Sequence, residues 1–378
     1  MRRPAYKSAP LPIAWSRYEY VDNRGEGFDS YDVKPEMRKE LDAVKQKTGV
    51  NTYDLKYIID HYIRARVADD RPGVMPTDSV VVPVNKEAVR RSGMMLPYGP
   101  DSIPDYITIS FRGKSRISKS TMMIYEMLAR NDWKRPMYMS LTLGGPGNPN
   151  YAGLDEYLVL EGLAYRITPF SHKRDADGAT GMAIDTRKMY DNLMNRYRYG
   201  NVNQPGIYLD ETVRRMCSTH RSMFSILARQ LLREGQKDKA LKVLRKCREV
   251  LPPENIPYDD ADIALANYWA DAGDVKEATR VALVVGNQAA DFLRWVSTVS
   301  EQRMEMMQSR VINYVSTLYS VYDLLRTVAP KEASQFEKTL IAVSNTRAVR
   351  MVEEYYRRQE EQMQGNGLFD MSSLDMEE

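Results

Sequence analysis

The chain has 378 residues, of which 43% are hydrophobic and 28% are charged, and its formal net charge is +3. The composition is typical of a globular protein, and the length allows two or three domains. Because basic and acidic residues nearly cancel, the charge excludes a strong field for nucleic acid, and we expect no nucleic-acid partner. No run approaches the roughly 20 apolar residues of a membrane-spanning helix, and no apolar run follows the basic start. The residues alone therefore predict a cytoplasmic protein.

Residues 1–74 are predicted to form a linker and amino-terminal helices. Residues 1 to about 35 are rich in Pro, Gly, Asp and Tyr and show no sustained period. Apolar residues then recur at helical spacing, which predicts a helix over 34–48 and a second over 51–67. The Pro and Gly residues at 69–73 end the second helix.

Residues 75–184 are predicted to form a small α/β domain, because short β-rich runs alternate with helical patterns. The predicted elements are strands at 79–84, 106–111, 136–142 and 163–170 and helices at 118–130 and 154–160. The strand–helix–strand order around the first of these helices predicts a small sheet with a crossover connection. Loops are predicted at 144–153 and, as a polar and mobile segment, at 172–181.

Residues 185–364 are predicted to be helical and to contain tetratricopeptide-like hairpins at about 222–252 and 260–288. The first hairpin fits the repeat template with Phe224-x2-Leu227-Ala228-x2-Leu231, Gly235, Ala240-x3-Leu244 and Pro252. The second fits it less fully, with Leu265-Ala266-x2-Trp269, Gly273 and Ala278. Two long helices at 311–328 and 332–364 follow, and 365–378 is predicted to be a disordered acidic tail. The predicted fold class is therefore α+β, a small mixed α/β unit followed by an all-α helical-hairpin array.

The sequence contains no complete catalytic motif, and we predict no catalytic residue and no cofactor. The three histidines, His61, His172 and His220, have no metal-ligand spacing to one another or to a cysteine, so no metal site is expected. Cys217 and Cys247 lie in predicted helices. They fit two small half-buried side chains or a disulfide.

Two segments are distinctive. One is Asn131-Asp132-Trp133-Lys134-Arg135-Pro136 and the other is Glu161-Gly162-Leu163-Ala164-Tyr165-Arg166. With them, and with Tyr208-Leu209-Asp210-Glu211, residues 75 to about 345 resemble the carboxyl-terminal part of a family of large bacterial membrane proteins of unknown function. The membrane half of that family looks like protein O-mannosyltransferases and related lipid-linked-sugar glycosyltransferases.

The resemblance implies a position after the last membrane span, on the periplasmic face of the inner membrane, with the membrane half of the same protein or complex as a partner. It also implies that catalysis belongs to the membrane half. That half has no counterpart in this sequence, so no catalytic residue of the family transfers to a position here.

The leading hypothesis is a non-catalytic soluble accessory domain that holds a polypeptide acceptor or protein partner. Stacked helical hairpins form concave surfaces that suit extended peptides. The candidate partner-binding residues are Arg229, Arg233, Tyr268 and Trp269.

The alternative is a stand-alone enzyme with a site at the junction of the α/β unit and the helices, since such junctions commonly hold pockets. The candidate pocket residues are Trp133, Arg135, Glu161, Tyr165 and Arg166. The same residues fit an interdomain packing seam, and a third hypothesis is a purely structural spacer.

Overall fold

The computed structural model describes residues 28–29, 35–64, 75–97, 99–111, 116–117, 119–143, 153–172 and 183–368. The chain divides into two compact units, Met1–Met189 and Tyr190–Glu378. The first unit combines small sheets with helices and the second is helical, which confirms the α+β class. The units separate a few residues after the predicted boundary at 184–185.

The first unit holds eight short strands among its described residues. They are β1 (Phe28–Asp29), β2 (Ser79–Pro83), β3 (Tyr106–Ser110), β4 (Arg116–Ile117), β5 (Tyr138–Ser140), β6 (Leu158–Leu160), β7 (Ala164–Ile167) and β8 (Ala183–Ile184). The helices are α1 (Pro35–Thr48), α2 (Leu55–Ile58), α3 (Lys86–Arg91), α4 (Lys119–Asn131) and α5 (Thr186–Asp191). The boundary between the units falls within α5. A π-helical turn, Ile59–Arg64, continues α2.

Three sheets are formed by these strands. β1 pairs with β4 and β2 pairs with β3, both antiparallel, while the third sheet has the order β5-β7-β6-β8 with a parallel edge at β6–β8. The predicted crossover sheet is therefore wrong. Strands β3 and β5, which correspond to the predicted strands before and after α4, lie in different sheets, because each finds an antiparallel partner elsewhere.

The segment predicted as a helix over 154–160 is also different in the structure. It forms a single 3-10 turn, Asp155–Tyr157, and then strand β6. All three residues of β6 are buried. A continuous apolar run such as this fits a fully buried strand as well as a short buried helix, so periodicity alone did not separate the two.

One hydrophobic core spans the first unit. Leu41 of α1 and Ile58 of α2 are fully buried in the same cluster as Val80 and Ile109 of the β2–β3 sheet. The hydroxyl of Thr52 donates a 2.9 Å hydrogen bond to the carbonyl of Leu41, which ties the α1–α2 connection to the core. The amino-terminal helices thus pack with the sheet instead of preceding the domain as separate elements.

The second unit consists of helices. They are α6 (Glu211–Arg233), α7 (Lys237–Val250), α8 (Ile263–Asp271), α9 (Val275–Val296), α10 (Glu301–Met306), α11 (Gln308–Val328), α12 (Pro330–Ser344) and α13 (Arg347–Leu368). Helices α6 and α7 pack as one hairpin and α8 and α9 as another. Gly235 (φ +73°) and Gly273 (φ +98°) make the two turns in the left-handed conformation that favours glycine.

The last helices correct two predictions. The helix predicted over 332–364 is two helices, because the chain breaks at Asn345 between α12 and α13. The predicted disordered tail starts too early, since α13 continues to Leu368. Residues 369–378 of the predicted tail lie outside the described residues. So do residues 144–152 and 173–181, which make up most of the two predicted loops.

Candidate functional site

Two arginines and a tyrosine share one surface of the helical unit. Arg229 and Arg233 are one turn apart on α6, so both side chains leave the same face of the helix. Burial raises the pKa of Tyr268 on α8, and the charges of Arg229 and Arg233 act in the opposite direction. The two helices pack against each other, so the three side chains lie on adjacent helices. We call these three residues the Arg229–Tyr268 surface; Arg233 is exposed and the other two are half-buried.

Trp269, the fourth predicted partner-binding residue, does not join this surface. Its side chain is only 3% exposed, and it lines a shallow pocket of about 400 Å³ with Arg248, Asp274 and Glu277. In that pocket, Arg248 forms an ion pair with Glu277. The structure thus brings three of the four predicted residues together and assigns Trp269 to the core.

A buried ionic network surrounds Glu161 in the first unit. The hydroxyl of Tyr138 donates to Glu161 Oε2 at 2.8 Å, and Lys188 Nζ donates to Oε1 at 2.9 Å. Arg166 Nη1 lies 3.5 Å from the same Oε1, and Arg166 Nη2 donates to the carbonyl of Ser92 at 3.1 Å. Glu161 and Arg166 are only 4% and 2% exposed. Both carboxylate oxygens are engaged, as expected for a buried charge that is paired.

The third sheet brings the ends of the two distinctive segments together. Strand β5 follows the first segment and strand β7 begins within the second, and the two strands pair with Tyr138 opposite Arg166. The guanidinium of Arg166 also lies 6.0 Å from the centre of the Tyr138 ring. Arg166 of the second segment therefore meets Tyr138, which lies two residues after the first segment.

The predicted pocket residues Trp133 and Arg135 are held by other contacts. Asn131 brackets the backbone of Arg135, accepting from its N–H at 3.2 Å and donating to its carbonyl at 2.7 Å. Asp132 and Trp133 adopt positive φ angles of 47° and 56° within this turn. The buried indole of Trp133 donates from Nε1 to the carbonyl of Pro83 at 2.8 Å.

All five predicted pocket residues thus belong to the first unit. Tyr165 is half-buried against its core. The structure joins Glu161 and Arg166 directly and places Trp133 and Arg135 in a separate turn.

Sequence reasoning missed Tyr138 and Lys188 as partners of Glu161, and Ser92 as the partner of Arg166. All three are far along the chain from the residue they contact and follow no recognised motif. The one usable signal was the short spacing between Glu161, which follows β6, and Arg166, which lies in β7. That spacing indicates an ion pair but not the other residues of the network.

Among the residues that the structure describes, no three or more His, Cys, Asp or Glu side chains form a group able to hold a metal ion. No helix within the described ranges is long and apolar enough to cross a membrane. Cys217 and Cys247 are buried free thiols, so the disulfide alternative is wrong. Burial raises the pKa of Cys247 to about 12, which makes its thiol unreactive at neutral pH.

Residues 1–188 match the family model described as TMEM260-associated domain 2. The matched region coincides with the first unit and includes both distinctive segments and the Glu161 network. This half of the chain is thus similar to a domain of a membrane-protein family of unknown function. No curated protein and no solved structure matches the chain.

Proposed function

We propose that this chain is a non-catalytic accessory domain of a membrane-associated protein and that its helical unit binds a polypeptide. The observation that carries the proposal is the Arg229–Tyr268 surface, which presents two guanidinium groups and a phenol on one face of adjacent helices. Arginine and tyrosine are enriched at protein interfaces. Since guanidinium groups pair with carboxylates, the polypeptide we expect is acidic.

The arrangement of the first unit supports a non-catalytic role. Glu161 is the one carboxylate among the five predicted pocket residues, and Tyr138, Lys188 and Arg166 already engage it. A substrate would have to displace one of these partners. The enzyme alternative therefore has less support than a structural role for this network.

The family match supports a membrane-protein context for the first unit. Combined with the resemblance of the two distinctive segments, it leads us to propose a parent protein with a glycosyltransferase-like membrane half that carries the catalysis. In that protein the chain would lie on the periplasmic face and its tetratricopeptide-like hairpins would hold the acceptor polypeptide.

The test measures the binding of short labelled acidic, neutral and basic peptides to the chain by fluorescence anisotropy. The test variant is Arg229→Glu/Arg233→Glu, and Arg214→Glu/Arg215→Glu is the matched control. Arg214 and Arg215 are exposed on the same helix, so the control changes the net charge equally.

We expect the wild type and the control to bind acidic peptides equally. The test variant should bind them at least about tenfold more weakly, which corresponds to ~1.4 kcal/mol. Equal weakening of both variants would mean that net charge alone attracts the peptide. Absence of binding to every peptide would contradict the proposal.

A further inference from the structure

A second surface of the helical unit combines three aromatic rings with an arginine. Phe292 and Trp295 lie on α9, and Arg310 and Tyr314 lie on α11. The ring centres of Phe292 and Tyr314 are 4.4 Å apart, and those of Phe292 and Trp295 are 5.7 Å apart. The Arg310 guanidinium carbon lies 4.8 Å from the centre of the Phe292 ring and 5.6 Å from that of Tyr314. We call these four residues the aromatic–arginine platform.

The charge of Arg310 is not neutralised by a carboxylate of the described part of the chain. Its one side-chain hydrogen bond there runs from Nη2 to the hydroxyl of Tyr314, at 3.5 Å. Arg280 and Arg294 of α9, in contrast, form ion pairs with Glu277 and Asp291. The guanidinium lies over the two aromatic rings, and the N–H donors of Arg310 that do not reach Tyr314 remain available for an anion.

The platform also exposes apolar surface. Trp295 is 53% exposed, whereas Tyr314 beneath the arginine is only 8% exposed and anchors the cluster in the core. Trp, Tyr and Arg are the residue types enriched in binding hot spots, where a few side chains carry most of the binding energy. A ligand for this surface therefore needs both an anionic group and an apolar group.

We propose that the aromatic–arginine platform binds an acidic segment of a protein partner. A carboxylate of the segment pairs with the N–H donors of Arg310, and a neighbouring apolar side chain covers the ring of Trp295. Charge complementarity selects this occupant, because the cation of Arg310 lies over the aromatic rings and its remaining N–H donors are left for an anion. The platform consists of residues other than those of the Arg229–Tyr268 surface, so each proposal can fail without the other.

The experiment uses the full chain and three short labelled peptides that differ only in a central triplet, Glu-Phe-Glu, Gln-Phe-Gln or Glu-Ala-Glu. Fluorescence anisotropy gives the Kd of each peptide for the wild type, for four variants of this region and for the Arg229→Glu/Arg233→Glu variant described above. Arg310→Gln removes the charge, Arg310→Lys keeps the charge but removes the planar fork, and Trp295→Ala removes the ring. Arg303→Gln is the matched control, because Arg303 is an exposed arginine on the neighbouring α10.

We expect the wild type to bind the Glu-Phe-Glu peptide more tightly than the other two. Arg310→Gln and Trp295→Ala should each raise its Kd by about tenfold, the size of a modest hot spot. Arg310→Lys should lie between Arg310→Gln and the wild type, and Arg303→Gln should change the Kd less than about twofold. Loss of binding in Arg229→Glu/Arg233→Glu but not in Arg310→Gln would assign the peptide to the other surface and overturn this proposal.

Two further outcomes would overturn it. One is failure of the wild type to bind the Glu-Phe-Glu peptide. The other is self-association of the wild type in sedimentation velocity that Trp295→Ala abolishes, because the occupant would then be a second copy of the chain.

Discussion

The buried guanidinium of Arg221 in the helical unit is the best place to perturb the fold. Arg221 is 1% exposed on α6, and its Nη1 donates to Asp262 Oδ2 at 2.8 Å and to the carbonyl of Pro257 at 3.1 Å. Its Nη2 donates to the carbonyls of Leu251 and Ile256. One side chain of the first hairpin thus fastens the connection that leads to the second.

We predict that Arg221→Met lowers the free energy of unfolding by about 3–5 kcal/mol. That is the usual cost of removing one partner of a buried ion pair, because the other charge stays buried without compensation. Among the described residues, Asp262 then keeps the 3.0 Å hydrogen bond from the backbone N–H of Asp259. The carbonyls that lose a donor add to the cost.

Urea unfolding followed by circular dichroism measures the change, and hydrogen exchange of the amides at 251–271 shows whether the loss is local. Arg215→Met, an exposed position on the same helix, should change the stability by less than about 0.5 kcal/mol. The double variant Arg221→Met/Asp262→Leu should recover at least about 1 kcal/mol relative to Arg221→Met, because it removes the unpaired charge. A cost below about 1 kcal/mol for Arg221→Met would refute the reasoning, since a buried ion pair should cost more to break.

Three further predictions concern single positions. Gly286→Ala should lower the free energy of unfolding by about 1–3 kcal/mol, because an added Cβ would lie 2.6 Å from Cζ of Phe336; Phe336→Leu should partly restore it, and an unchanged denaturation midpoint would contradict the packing. Burial raises the pKa of Asp262 to about 6 from an ordinary value of 3.8. At a pH between these two values, the folded state therefore binds more protons at Asp262 than the unfolded state does. The stability of the wild type relative to Asp262→Asn should therefore fall by up to about 3 kcal/mol as the pH rises from about 4 to about 7, whereas a rise would mean that the arginine partner outweighs burial. Trp133→Phe keeps an aromatic ring but removes the indole N–H that donates to Pro83 and part of the buried ring system, so urea unfolding should show a loss of at least about 1 kcal/mol, and no loss would show that neither contributes.

The helical unit was the more predictable part of the fold. Amphipathic spacing together with Gly235 and Gly273 set the hairpin turns, and Pro330 marked the start of α12. These signals are local, since the residues that make each turn are adjacent in sequence. The break at Asn345 was missed because no proline or glycine marks it.

The first unit was less predictable because its strands are short and pair over long distances. Helix α4 lies between β4 and β5, which belong to two different sheets, and only the pairings β1–β4 and β5–β7 reveal this. The candidate sites also differ in whether their contacts are local or long-range. Arg229 and Arg233 share a face by helical spacing, so their proximity could be predicted. The approach of Arg310 to Phe292, in contrast, depends on how α9 and α11 pack.

The most direct test of the proposed function is the hydrogen-exchange footprint of a bound acidic peptide on the full chain. If the Arg229–Tyr268 surface binds the peptide, amides near the carboxyl-terminal end of α6 and in α8 should exchange more slowly, and those of the first unit should not change. Protection confined to the first unit would contradict the proposal and would direct attention to the network around Glu161.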